Sequence, residues 1–233
     1  MKIITYATHA EGSFNTLINS GQVKVIGWGT KWNGFMGKAR DILTYLETRI
    51  NDDEIVVVVD GFDTVINKNL DSLEQTFINM DCKVLYALDD KSGISPYIPN
   101  IIEKYTRWKI FGTCKNGENA NAGLYMGYCK ELKIVLKAIL STDMDDDQRA
   151  INSLCSHFPF LKVDTNHIIF ENCVNKSDLS DSYFVQFPAS LNTNRIIRML
   201  QDYPKYFIPE IILLILLIFF IIYKWRYLVM LLH

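Results

Sequence analysis

Short apolar runs alternate with segments of helical periodicity through the first part of the chain. Ile3-Ile4-Thr5-Tyr6-Ala7 predicts a buried strand, residues 14–20 a helix, and residues 22–26 a second strand. Ile42, Leu43, Leu46 and Ile50 recur at helical spacing in a predicted helix over 38–50. That helix leads into Ile55-Val56-Val57-Val58-Val59, an apolar and β-branched run of the kind buried on both faces of a parallel sheet. Asp71-Ser72-Leu73-Glu74 has the spacing of a capping box opening a helix to Met80, and residues 83–87 form the next strand. Strands and helices in strict alternation predict an α/β fold, a mostly parallel sheet with helices on both faces.

Past Ala87 the pattern loosens. Ser92-Gly93-Ile94-Ser95-Pro96-Tyr97-Ile98-Pro99 reads as a loop near the sheet's ligand edge. Residues 120–128 mix small residues with an apolar strand, 131–140 are helical, and Asp145-Asp146-Asp147-Gln148 opens a short helix. Residues 160–164 and 168–171 read as late strands. The C-terminal part differs in kind: residues 211–223 are uncharged and apolar on every face, followed by Lys224-Trp225-Arg226 and a further apolar stretch. A membrane span needs about 20 apolar residues, a length reached if Lys224 and Arg226 snorkel. The alternative is an amphipathic or buried last helix. The organisation expected is a domain over 1–205 and a single-pass membrane anchor over 206–233. The N-terminal apolar run is too short for a signal peptide and meets His9-Ala10-Glu11-Gly12 at once, so the domain is expected to face the cytosol.

Composition narrows the class. A net charge of −2 with no basic cluster argues against a nucleic-acid partner. Cys82, Cys114, Cys129, Cys155 and Cys173 are scattered, odd in number and without a CxxC pair. They predict reduced buried thiols rather than a disulfide framework or zinc site, as suits a cytosolic setting. The Asn175-Lys176-Ser177 sequon is expected to be fortuitous. No H-E-x-x-H or G-x-S-x-G motif is present.

The chemistry concentrates where the valine run ends, at Asp60-Gly61-Phe62-Asp63. An unpaired buried carboxylate is costly, which places both aspartates just past the strand's carboxyl end, where open α/β sheets bind ligands. Two carboxylates so spaced can converge on a hard divalent cation, Mg²⁺ or Mn²⁺. The alternative is an Asp that caps a turn. A second acidic group, Asp143, Asp145, Asp146 and Asp147, is either a solvated helix N-terminus or a set that orients a sugar or acceptor hydroxyl. In the glycine-containing stretch from Gly27 to Arg40, which lacks a phosphate-loop motif, Trp28 is expected in the core. Trp32 and Lys38 are the ligand candidates there, the lysine toward a diphosphate.

Several short motifs occur in a fixed order: Ala7-Thr8 with Glu11-Gly12, Gly27-x-Gly29-x-x-Trp32, Val59-Asp60-Gly61-Phe62-Asp63, Asn121-x-Gly123-x-x-x-Gly127 and Asp145-Asp146-Asp147-Gln148. Val163-Asp164 and Ile169-Phe170-Glu171-Asn172 follow. Over residues 1–200 the series resembles the glycosyltransferase domain of procollagen lysyl hydroxylases and the related collagen glucosyl- and galactosyltransferases. The resemblance implies a GT-A fold, a UDP-hexose donor, a Mn²⁺ (or Mg²⁺) cofactor, and a hydroxyl acceptor on protein or glycan, such as hydroxylysine. It implies Asp60 and Asp63 as metal ligands, and Phe62, Thr8 and Lys38 near the nucleotide and diphosphate. Asp146 and Asp147 would face sugar and acceptor as catalytic residues. The family's third metal ligand, a histidine, corresponds to Gln186 in Tyr183-Phe184-Val185-Gln186-Phe187-Pro188. These 233 residues leave no room for the family's hydroxylase domain as well, so hydroxylation is not expected. Gln186 also supports a competing reading, a degenerate GT-A domain that binds a nucleotide-sugar or a partner without transfer.

Overall fold

The computed structural model describes residues 1–89, 100–172, 181–187 and 203–231. The chain divides into two units, Met1–Asn192 and Thr193–His233. The first begins β1 (Lys2–Tyr6), α1 (Phe14–Ile18), β2 (Val23–Ile26), α2 (Gly34–Arg49), β3 (Ile55–Asp60), β4 (Thr64–Ile66). Then come α3 (Leu73–Asn79), β5 (Val84–Leu88), α4 (Asn100–Phe111), β6 (Ala120–Tyr128), α5 (Cys129–Leu140) and α6 (Asp147–Leu154). It closes with β7 (Leu161–Asp164), β8 (Phe170–Asn172) and β9 (Phe184–Gln186); α7 (Pro204–Leu231) belongs to the second unit.

The main sheet has the order β2-β1-β3-β6-β5-β7. Its neighbours pair in parallel except at β6, which runs antiparallel to both β3 and β5. That reversal matters for the site. Val59 pairs with Leu124, so the first residues of β6 lie beside the carboxyl end of β3. A small sheet, β4-β9-β8, pairs Thr64 with Gln186.

The valine run is buried on both faces, as its composition requires. Val56 and Val58 join a core with Ile42, Leu46, Leu132 and Ile151, beneath α2, α5 and α6. Ile55, Val57 and Val59 join the opposite core with Leu17, Phe77, Phe170 and Phe184. Each such side chain contributes about 1.5–3 kcal/mol by leaving water, which fixes β3 and therefore the position of Asp60.

Three expectations need correction. α2 starts at Gly34, where a φ of 75° turns the chain into the helix, so Lys38 lies inside the helix rather than at its start. The capping box does not form: α3 is capped at Ser72 with no side-chain cap bond, while Asp71 is held by Asn69. Cys114 and Cys155 are disulfide-bonded, whereas Cys82 and Cys129 are free and buried. The bond joins the turn after α4 to the end of α6, two points that only the folded topology brings together. The loop at 92–99, Cys173 and the sequon at 175–177 lie outside the described residues.

In the second unit, Pro204–Lys224 spans 21 residues at a mean hydropathy of 2.6, long and apolar enough to cross a membrane. At 1.5 Å per residue it reaches about 30 Å. Its side chains from Ile211 to Tyr223 are exposed.

Candidate active site

β3 carries Asp60 to the sheet's carboxyl edge, and the turn Gly61-Phe62-Asp63 returns the chain into β4. The turn is packed closely from behind. A Cβ on Gly61 would lie 3.0 Å from both Ala7 Cβ and Thr5 Oγ1. Gly12, at φ 54°, brings the loop after β1 so near that a Cβ there would meet the Phe62 carbonyl oxygen at 2.1 Å. Ser13 N–H donates to that same carbonyl at 2.7 Å. Glycine is needed at position 12 for both reasons, since the left-handed region disfavours a side chain and the close approach leaves no room for one.

Four further elements meet at this edge. From β9, Gln186 Nε2 donates to Asp60 Oδ2 at 2.9 Å and to Asp63 Oδ1 at 3.1 Å. From α2, Lys38, only 7 % exposed, reaches Asp60 Oδ1 and Asp147 Oδ2, both at 3.3 Å, and the Ala122 carbonyl at 3.4 Å. From β6, Gly123 faces the cluster without a side chain. A Cβ there would stand 2.3 Å from Asp60 Oδ2 and 2.8 Å from Gln186 Nε2. At the head of α6, Asp146 caps the helix by accepting from Arg149 N–H at 2.8 Å, while Asp147 turns inward to Lys38. Gln148 fixes that helix start, bonding Asp89 and the Ala122 N–H; Asp89 is itself paired with buried Arg107 at 3.1 Å.

Asp60, Asp63 and Asp147 crowd around one ammonium, three carboxyl groups to a single cation. Burial, reinforced by the Asp60 charge, pushes the Asp63 carboxyl up to about 7. Burial pushes Asp147 up to about 7 as well; Lys38 opposes this, and Asp146 and Asp60 add to it. For Lys38, burial favours the neutral amine, but Asp147 and Asp60 outweigh it and hold the group above its ordinary value. One ammonium shared between two carboxylates stays charged, yet it does not outweigh the burial of Asp147.

The residues fit an oxygen-ligated divalent cation. Such an ion would favour the ionised form of the crowded carboxyls, Gly123 leaves room beside Asp60, and Gln186 Oε1 is buried with no hydrogen-bond partner. Among the described residues no three His, Cys, Asp or Glu side chains converge as a ready metal cage. Asp60 and Asp63 would therefore be completed by the amide oxygen, water or a ligand oxygen.

Asp60, Asp63, Lys38, Asp147 and Gln186 thus meet in one place. Phe62 lies in the turn, its ring tilted against His9 at 5.0 Å, and Thr8 Oγ1 bonds His9 Nδ1 at 2.9 Å. Trp32 is 47 % exposed and edge-on to Tyr6 and Phe35. Trp28 is not in the core as expected: it is 56 % exposed and stacked on Phe14. Gly27 and Gly29, both at positive φ, shape the loop that presents it. The Ala122 carbonyl and the open face of Gly123 also belong to the site; the Asn121-x-Gly123 motif is their signal in the sequence, but only the antiparallel β6 gives it meaning.

Residues 1–181 match the family model of the PLOD GT domain. The chain belongs to that family. Among curated relatives, the mouse procollagen-lysine,2-oxoglutarate 5-dioxygenase 2 is 22 % identical over 241 residues, covering 89 % of this chain and 31 % of that protein. The Caenorhabditis elegans multifunctional procollagen lysine hydroxylase and glycosyltransferase is 27 % identical over 166 residues, covering 63 % and 21 %. This PLOD-type chain therefore spans a third or less of the length of the relatives it matches. A crystal structure of a glycosyltransferase involved in the glycosylation of the major capsid of PBCV-1 has a TM-score of 0.50 at 11 % identity, covering 86 % of this chain and 98 % of that one. The PLOD GT domain here has the GT-A fold, and the expectations of family and fold drawn from the motif series are borne out.

Proposed function

We propose that the domain transfers a hexose, glucose or galactose, from a UDP-sugar to a hydroxyl group on a protein or glycan. The observation that carries this reading is the meeting of Asp60, Asp63, Gln186, Lys38 and Asp147 at the carboxyl edge of β3. Asp60 and Asp63, with Gln186, would hold Mn²⁺ or Mg²⁺; when bound, the ion supplies positive charge for the departing diphosphate. Thr8 and Phe62, on the loop and turn beside Asp60, are assigned to the nucleoside, and Trp32 to stacking at its rim. Asp147, whose carboxyl is poised near neutral pH, is matched to taking the acceptor hydroxyl's proton. Asp146 positions the start of α6 and through it Asp147.

The test is UDP release by the full chain in detergent from a panel of UDP-sugars, with Mn²⁺, Mg²⁺ or EDTA. Release should require the metal and fall on the order of 100-fold or more in Asp60→Ala or Asp63→Ala. Undiminished release in both variants would refute the metal-site assignment. The second reading, nucleotide-sugar or partner binding without transfer, is favoured by the Gln186 amide standing between the two aspartates. Metal-dependent UDP binding without release from any donor would establish it.

α7 is proposed as a membrane tether following the domain at 1–205. Alkaline extraction should leave the full chain in the membrane pellet, and recovery in the supernatant would end that reading. The tether is proposed without an orientation, because the Cys114–Cys155 bond removes the cysteine-based argument for a cytosolic setting.

A further inference from the structure

We infer that the Gln186 amide is a two-position gate of the cation site. With Nε2 inward it holds Asp60 and Asp63 together in the metal-free protein; a half-turn presents Oε1 as the third protein donor to the cation. This rests on the metal reading above.

Four observations support it. The amide nitrogen has two protons, and both are used, one on each aspartate, at 2.9 and 3.1 Å. The nitrogen thus stands where it partly satisfies two carboxylates that otherwise repel. At the other end of the same group, Oε1 is buried with no hydrogen-bond partner. A buried acceptor left unpaired is a standing penalty, so this arrangement is favourable at one end of the amide and unfavourable at the other. Gly123 provides the room: a Cβ at that position would stand 2.8 Å from Nε2, whereas its hydrogen leaves the amide free to turn. Finally, Gln186 is placed by β9 pairing to Thr64 on the strand that follows Asp63, so the backbone need not move.

The half-turn exchanges two atoms of nearly equal size about a terminal torsion whose preferences are broad and roughly two-fold. Without a cation the turned state sets Oε1 against the carboxylate oxygens and loses both hydrogen bonds. With a cation the order reverses, because a hard ion attracts the amide oxygen and repels the N–H dipoles. Cation binding must therefore break two hydrogen bonds, and the wild-type site binds metal more weakly than one with a fixed anionic donor at position 186.

The experiment uses the full chain in detergent micelles with ¹⁵N in the side-chain amides of its five glutamines. The Gln186 pair is identified by its loss in Gln186→Glu or Gln186→Met. In metal-free protein that pair should be protected from solvent exchange. Saturating Mg²⁺, with and without UDP, should shift it and remove the protection. By calorimetry Gln186→Glu should bind Mn²⁺ about tenfold tighter or more than wild type, in line with the effect of ligand charge. If Mg²⁺ binds through Asp60 while the Gln186 amide signals stay unchanged and protected, the gate is wrong and the metal site stands. Equal or weaker Mn²⁺ binding by a folded Gln186→Glu would also overturn the gate. No cation heat in wild type or variant, with or without UDP, removes both the gate and the metal reading.

Discussion

Lys38→Met is expected to be the most damaging single change at the site, lowering the stability of the metal-free domain by about 3 kcal/mol. Removing one partner of a buried ion pair costs roughly 3–5 kcal/mol because the remaining charge stays desolvated. The lower end applies here, since the Asp60 side chain is about one-third exposed while that of Asp147 is 8 % exposed. The loss should be smaller with Mn²⁺ present, because the ion supplies positive charge to the same aspartates. Metal affinity should rise in the variant as a competing cation is removed, yet transfer should fall on the order of 100-fold, the effect of misplacing a reacting group by about 1 Å. Denaturant unfolding in EDTA and in Mn²⁺, set beside kcat, separates these effects. A lysine that served only as a diphosphate contact would leave metal-free stability unchanged and alter KM instead.

Gly123→Ala is expected to leave the fold in place and disable the site. The added methyl would lie 2.3 Å from Asp60 Oδ2, 2.8 Å from Gln186 Nε2 and 2.9 Å from Asn121 Oδ1. Asp60 cannot simply swing away, because its other oxygen is held by Lys38 at 3.3 Å. The methyl must displace the carboxylate or move β6, whose pairing to β3 and β5 anchors the centre of the sheet. Displacing the carboxylate is easier. Metal affinity and UDP-sugar turnover should each drop about 10- to 100-fold, while the circular dichroism spectrum keeps its wild-type form. Wild-type turnover in this variant would show that Asp60 does not act from the position described.

The parts of this arrangement that sequence reading captured are those written in local pattern. The valine run announced a strand buried on both faces, and the aspartates at its end followed from the cost of burying charge. Periodicity says nothing of strand direction, however. The reversal of β6, which sets Ala122 and Gly123 beside Asp60, was invisible for that reason. Lys38 and Asp147 were singled out separately, one for a diphosphate and one for an acceptor. The bridge that Lys38 makes between Asp60 and Asp147 depends on α2 and α6 packing on the same face of the sheet. Trp28, expected in the core, stands instead on a loop governed by two left-handed glycines. Cys114 and Cys155 show the same limit, since pairing is a property of the fold and not of spacing.

The most direct measurement is calorimetric titration of UDP into the full chain, with Mn²⁺ and with EDTA, for wild type and for Asp60→Ala with Asp63→Ala. UDP should bind the wild type only with Mn²⁺ present, and the double variant should lose that binding by about 100-fold or more. Equal UDP affinity in EDTA, or in the double variant, would contradict a cation held by the turn after β3.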